Sequence, residues 1–386
     1  MNGWWHRDGS NGTGVRRWSA GLWAAVVAGL LGAACVAGTS GERPVSAGKP
    51  HHTASGFRNN YPAGHARGSF WRWQMERWQK GLPATPPGGW RFDTVAADRD
   101  WIGANRSEVA FTWIGHATFL VQAGGLNILT DPHLTERASP LGFAGPRRLV
   151  PPALDFHHLP HVDVVVISHN HYDHLDEATV RRLARQPGGP PRFLVPLGLK
   201  AWFAAAGIAT AEELDWWEST QQGGARFTFT PVQHWSARTP WDRNRSLWGG
   251  WRVDTPQGSA FFAGDTGYSE DFRDIRRRLG PVDVALLPIG AYEPRWFMRT
   301  MHVNPDEAVR IHADLEARHS LAMHWGTFVL TDEPMDEPPH RLTQALREAG
   351  VPPERFRVLR HGETWRPSRE PATQSARADP VPATAP

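Results

Sequence analysis

Four side chains able to bind a metal fall within six positions in the segment Ser168-His169-Asn170-His171-Tyr172-Asp173-His174. The segment follows Val164-Val165-Val166-Ile167, an apolar run of the kind a strand buried on both faces presents, so the loop starts at a strand end. An alternating His-x-His stretch in extended or turn geometry aims the imidazoles of His169 and His171 at one point. Asp173 and His174, displaced by the turn, aim at a second point close by. Two cations ~3.5–4 Å apart would clamp both the attacking and the leaving oxygen of a hydrolytic displacement. Imidazole and carboxylate without thiolate suit zinc, with iron or manganese as alternatives.

One loop does not supply enough ligands for two metals, and further candidates stand in the same context, an apolar run followed by His or Asp. His234 follows Phe229-Thr230-Pro231-Val232, Asp265 follows Phe261-Phe262-Ala263-Gly264, and His324 follows Leu321-Ala322-Met323. Each alone is more often an ordinary structural residue. Beside the His-rich loop they complete a dinuclear set. His116 and Asp131 also end apolar runs, and read either as groups orienting the imidazoles or as turn residues.

The elements that must position these residues are strands interleaved with helices. Strands are expected at 109–114, 118–123, 126–130, 164–167, 192–195, 227–232, 259–263, 284–289 and 321–324, the second and third joined at Gly124-Gly125. Helices are expected at 177–185, 305–318 and 340–349, with Asn304 capping the second and Pro305 in its first turn. Such alternation in a long chain indicates a layered α/β fold.

The chain has 386 residues, 40% hydrophobic and 21% charged, which excludes wholesale disorder, collagen and coiled coil. A formal net charge of +3 does not call for nucleic acid as a partner. The single cysteine, Cys35, excludes an intramolecular disulfide and a Cys-rich zinc site, whereas 19 histidines are an excess that favours metal chemistry. Residues 1–38 read as a signal peptide or membrane anchor: Arg16 and Arg17 precede an uncharged apolar run from Trp18 through Ala37. Leu31-Gly32-Ala33-Ala34-Cys35 is similar to a lipoprotein cleavage site. The protein is therefore expected to be exported, periplasmic or membrane-associated. Residues 39–91 read as a linker and a segment in which Phe70, Trp71, Trp73 and Trp78 alternate with Arg67, Arg72, Arg77 and Lys80. That pattern suits either a bilayer interface or a helix packing its Trp face on the main domain. The catalytic domain is expected at 92–366, and a Pro/Ala/Ser-rich disordered tail at 367–386.

The His-rich loop resembles that of the metallo-β-lactamase superfamily, whose fold is an αββα sandwich with metals at the edge between two sheets. Within it, Ile114 through Thr118, Thr130-Asp131-Pro132, Ser168 through Asp176, Leu214 through Trp217, Gln233-His234-Trp235, Phe262 through Tyr268, Pro288 through Met298 and His324 through Thr327 resemble the phospholipase D family that hydrolyses N-acyl-phosphatidylethanolamines. The resemblance implies two zinc ions per chain: His169, His171 and His234 on one, Asp173, His174 and His324 on the other, and Asp265 bridging. Asp173 and Asp265 would be catalytic, with Asp173 orienting a hydroxide shared by the metals. His302 would lie on the substrate side, with Tyr172, Trp235 and Arg295 as further contacts. Met301 stands where the resemblance leads to Gln, and Ser236 where it leads to Cys.

The implied activity is zinc-dependent phosphodiester hydrolysis of a phospholipid at a membrane surface. Trp241, Trp248, Trp296 and Phe297, with Arg238, Arg243 and Arg245, would flank the site. A related metallo-hydrolase acting on lactones or soluble phosphodiesters is the second reading. A tRNA-processing nuclease shares the His-x-His-x-Asp-His loop, but the export signal and modest charge oppose it. An exported zinc-binding protein without turnover is the alternative of another class, opposed by a ligand set that leaves room for water.

Overall fold

The structure, a computed structural model, describes residues 48–62 and 69–367. The expected export segment and all but the first residue of the expected tail lie outside the described residues. Among the described residues no helix is long and apolar enough to cross a membrane.

A short hairpin of β1 (His52–Thr53) and β2 (Gly56–Phe57) comes first, followed by helices α1 (Ser69–Lys80) and α2 (Arg99–Ala104). The first large sheet is then built from β3 (Ala110–Gly115), β4 (Thr118–Ala123), β5 (Leu126–Thr130), β6 (Val164–Val166), β7 (Arg192–Pro196) and β8 (Ala211–Leu214). Helix α3 (Glu177–Leu183) lies between β6 and β7, and α4 (Lys200–Ala205) between β7 and β8. The second comprises β9 (Ser219–Gln222), β10 (Ala225–Thr230), β11 (Gly250–Thr255), β12 (Gly258–Phe262), β13 (Val284–Pro288), β14 (His319–Met323) and β15 (Phe356–Arg357). Helices α5 (Asp271–Leu279), α6 (Arg295–Met298), α7 (Pro305–Asp314) and α8 (Glu337–Glu348) connect its later strands. The last strand, β16 (Thr364–Trp365), returns to pair with β3, so each sheet has seven strands.

Side-chain period explains the layering. Val164 and Val166 of β6 point into a core shared with Phe227 and Phe229 of β10 and Trp251 of β11, so the two sheets pack face to face. Val165 and Ile167 point the other way, onto Val180 and Leu183 of α3 and Phe203 of α4. The outer face of the second sheet is covered by Phe272 and Ile275 of α5, Val309 and Ile311 of α7, and Leu342 and Leu346 of α8. Helices thus cover both outer faces, giving the expected αββα order.

Each sheet is an antiparallel meander followed by parallel strands: β3-β4-β5 then β6-β7-β8, and β9 through β12 then β13-β14-β15. Parallel pairing brings the carboxyl ends of β5, β6, β12, β13 and β14 to one edge, where ligand-bearing loops gather. Helix α7 begins with the expected cap, Asn304 and Glu307 forming a reciprocal capping box with Pro305 behind it. It stops at Asp314, short of the expected 318, because the chain must turn into β14 at His319.

Candidate metal centre

The β6 run ends at Val166, and the loop beyond it brings three imidazole nitrogens together. His169 Nε2 lies 2.8 Å from His171 Nδ1, which lies 3.3 Å from His234 Nε2, delivered by the loop after β10. Beside them stands a second group. His174 Nε2 is 3.2 Å from His324 Nε2, and Asp173 Oδ2 is 3.3 and 3.4 Å from the same two nitrogens. Asp265, after β12, reaches both groups: its carboxylate is 3.1 Å from His174 Nε2, 3.0 Å from His324 Nε2 and 3.9 Å from His234 Nε2. All seven residues read from the sequence as ligands therefore meet at one place. Five of the seven are buried, while His171 and Asp173, the latter with a side chain 15% exposed, are half-buried at the mouth of the site.

The donor set fits divalent metals. His234 Nδ1 faces the Met301 carbonyl at 2.9 Å and His174 Nδ1 faces Asp131 at 2.6 Å, so each donates there and turns Nε2 inward, where a metal would take the place of a proton. Several inward nitrogens at such spacing demand a shared positive charge. The electrostatics agree. Burial pushes His171 and His234 down to about 3. Burial also opposes charge on His324 and His174, but Asp265 and Asp173 outweigh it, lifting His324 to about 9 and His174 well above the ordinary range. Conversely, burial alone would raise Asp173 and Asp265, yet His174 and its neighbours hold both well below the usual carboxylate range.

Surrounding groups hold these ligands in place. The β5–β6 register sets Asp131 beside Ser168, whose amide (2.7 Å) and hydroxyl both donate to the Asp131 carboxylate. Ser168 Oγ also meets His169 Nδ1 at 2.9 Å. His116 Nε2 contacts Asp173 at 3.0 Å, and its own amide is held by Thr327 Oγ1. Of the two readings left open by the sequence, His116 and Asp131 orient ligands. Both have positive φ, as does His324 (54°, 32° and 62°). Each non-glycine residue in that region carries about 1–3 kcal/mol of strain, which here redirects a side chain at a strand end. Gly264 (φ 62°) admits the approach of two ligand segments: a Cβ there would lie 2.4 Å from Ser168 Cβ.

A cleft of about 630 Å³ leads from Asp173 and Asp265 outward, walled by Tyr172, Trp235, His302, Met298, Met301 and the start of α1. His302 Nδ1 lies 3.8 Å from Asp265 and is buried without a hydrogen-bond partner. Trp235 stacks edge-on over His171 and is itself covered by the Arg243 guanidinium. Other expected contacts fall elsewhere. Arg295 does not line the cleft; its guanidinium binds Glu307 at 2.7 Å and the His302 carbonyl at 2.8 Å, bracing the loop that carries His302. Trp248 is core, its indole donating to Val232 O and Asn59. Arg238 is half-buried and ties down the His-rich loop through the Asn170 and Leu175 carbonyls. Met301 serves through its backbone carbonyl, so its side chain does not decide that bond. Only Trp73 of α1 is buried, stacked on Phe297, while Trp71 and Trp78 are 66% and 69% exposed.

One positioning residue is not legible in the sequence. Asn59, in the 39–91 stretch that read as linker and Trp/Arg-rich segment, donates to the His234 carbonyl at 3.0 Å and accepts from the His234 amide at 3.1 Å. Only the Asn59-Asn60 pair, a turn-like polar signal, marked the spot. Asn59→Ala is expected to lower metal affinity about 10–100-fold, measured by chelator competition, with Asn59→Asp falling between because it keeps the acceptor.

Residues 126–325 match the Beta-lactamase superfamily domain. The chain is 42% identical over 269 residues to the N-acyl-phosphatidylethanolamine-hydrolyzing phospholipase D 1 of Caenorhabditis elegans, covering 67% of this chain and 75% of the nematode protein. Against the mitochondrial N-acyl-phosphatidylethanolamine-hydrolyzing phospholipase D of Saccharomyces cerevisiae, identity is 38% over 247 residues, covering 62% of this chain and only 52% of the yeast protein. The metallo hydrolase Igni18 of Ignicoccus hospitalis superposes with a TM-score of 0.51 at 22% identity, over 67% of this chain and 98% of that one, a likeness of fold alone.

Proposed function

The chain belongs to the metallo-β-lactamase superfamily of metal-dependent hydrolases, and on that premise we propose that it is a zinc-dependent phospholipase of the D type. Its substrate in this reading is an N-acyl-phosphatidylethanolamine in a membrane surface, and its products are phosphatidic acid and an N-acylethanolamine. The observation that carries the reading is the aromatic-walled cleft running from the two ligand groups to the exposed face of α1. The two relatives named for this activity support it.

In this reading His169, His171 and His234 hold one zinc, Asp173, His174 and His324 the other, and Asp265 both. Bound there, the pair would supply a water acidified towards neutrality and a Lewis acid for a phosphoryl oxygen. Asp173, whose carboxylate opens to the cleft, orients that water and accepts its proton. His302 faces the phosphoryl group from the cleft wall. Tyr172 and Trp235 exclude water from the acyl chains.

The exposed Phe70, Trp71, Met75 and Trp78 meet the membrane, with Arg72 and Lys80 beside them for anionic headgroups. The basic and apolar pattern of residues 1–38 would deliver the enzyme there by export.

The test is hydrolysis of vesicles containing N-acyl-phosphatidylethanolamine by the zinc-loaded protein, products identified by mass. A Trp71→Ala/Trp78→Ala variant is expected to lose about tenfold of the vesicle rate, ~1.4 kcal/mol, and none of its rate on bis-nitrophenyl phosphate. Turnover of lactones or soluble diesters with none of phospholipid would replace this reading with the second one.

A further inference from the structure

A second cluster of metal-binding side chains stands apart from the cleft and shares no residue with it. Asp215 follows β8, and the chain entering β1 lays His51 and His52 against it. His51 Nε2 is 2.7 Å from Asp215 Oδ1, and His52 Nε2 is 2.8 Å from Asp215 Oδ2. The two rings meet edge to face at 4.6 Å, and the His51 ring stacks on Trp216. All three side chains are buried, and their ligand atoms lie within 4.8 Å of one another. A depression of about 590 Å³, lined in part by Lys49, His51, Trp216 and Glu218, leads to the cluster from solvent.

The carboxylate is built to receive positive charge. Burial would raise Asp215, yet the bonds from His51, Lys49 and His52 hold it below the ordinary carboxylate range. The Lys49 ammonium, 2.7 Å from Asp215 Oδ2, supplies that charge from a side chain 39% exposed to solvent. Glu218 Oε1, 3.2 Å from the same ammonium, stands ready to keep it if it leaves.

We propose that His51, His52 and Asp215 form a further divalent-metal site, with Lys49 as the cation that the metal displaces. Two imidazoles and one carboxylate without sulfur select zinc or a neighbouring first-row ion, leaving a fourth position for water from the depression. The site fastens the N-terminal hairpin to the end of β8. From that hairpin Asn59 reaches the His234 backbone, so the ion steadies the strap behind a catalytic ligand.

The experiment uses the full chain with its catalytic centre already loaded with zinc. Equilibrium dialysis against free zinc, read by elemental analysis, is expected to show one more equivalent in the wild type than in His51→Gln/His52→Gln. Glutamine keeps a hydrogen bond to Asp215 but replaces imidazole, so the variant retains the hairpin contact while losing the ion. Lys49→Ala is expected to bind the additional equivalent roughly fivefold more tightly, because a competing ammonium is gone. Zinc should raise the melting temperature of loaded wild type and of Lys49→Ala, but not of the double glutamine variant. Equal metal in wild type and the glutamine variant would overturn the proposal. So would a Lys49→Ala protein that is merely less stable and binds no additional zinc.

Discussion

Asp265→Ala is expected to lose bound metal and hydrolysis together, with turnover down at least about 10³-fold. Asp265 is a carboxylate that reaches both ligand groups, within 3.1 Å of His174 and His324 and 3.9 Å of His234. Removing it leaves five converging imidazoles with Asp173 as the one carboxylate turned into the centre, too little negative charge for two divalent ions. Asp265→Asn separates charge from shape, since the amide fills the same space, and it should fail nearly as badly. Elemental analysis after dialysis, alongside a turnover assay and circular dichroism for folding, reads all three quantities. A folded, metal-free Asp265→Ala protein with full activity would end the hydrolase mechanism.

Asp173→Asn separates holding the metal from using it. If Asp173 orients and deprotonates the attacking water, kcat should fall about 10²–10⁴-fold, while most of the metal stays on the other six ligands. His116, which contacts Asp173 through Nε2 and lays its ring 4.1 Å from that of His324, should act more weakly: His116→Gln is expected to lower activity about 10–100-fold. The two losses should not add, because both variants disturb the same carboxylate. A fully active Asp173→Asn enzyme with normal metal content would move the proton-accepting role elsewhere. Retained activity in His116→Gln alone would mean that the carboxylate needs no orienting partner.

The seven inward-facing residues were legible because four crowd one loop at a strand end and the other three each follow an apolar run. A strand's buried side chains end where the polar edge of the sandwich begins, so the break in hydropathy marks the position. Helix α7 was legible at its start for a similar reason, Asn304, Pro305 and Glu307 acting through bonds within four residues. The polar strands β8 and β9 were not. Glu212, Glu213 and Ser219 through Gln222 show no apolar alternation, and they are strands because β7 and β10 offer them backbone partners. Arg295, Arg238 and Trp248 were legible as types but not as roles. A guanidinium or indole near a site in sequence says nothing about which carbonyl it will find.

By itself, then, the sequence determined the metal-binding residue types and the alternation of strands with helices, since both are written in residue type and in periods of a few positions. Tertiary structure alone decided that Asn59 would grip His234 from 175 residues away, that Asp131 would accept a hydrogen bond from His174, and that His51 and His52 would close on Asp215. Those pairings depend on sheet register and on where a strap happens to cross. A hydrogen bond is specific only at contact distance, so no local pattern can announce a partner that folding has yet to bring near.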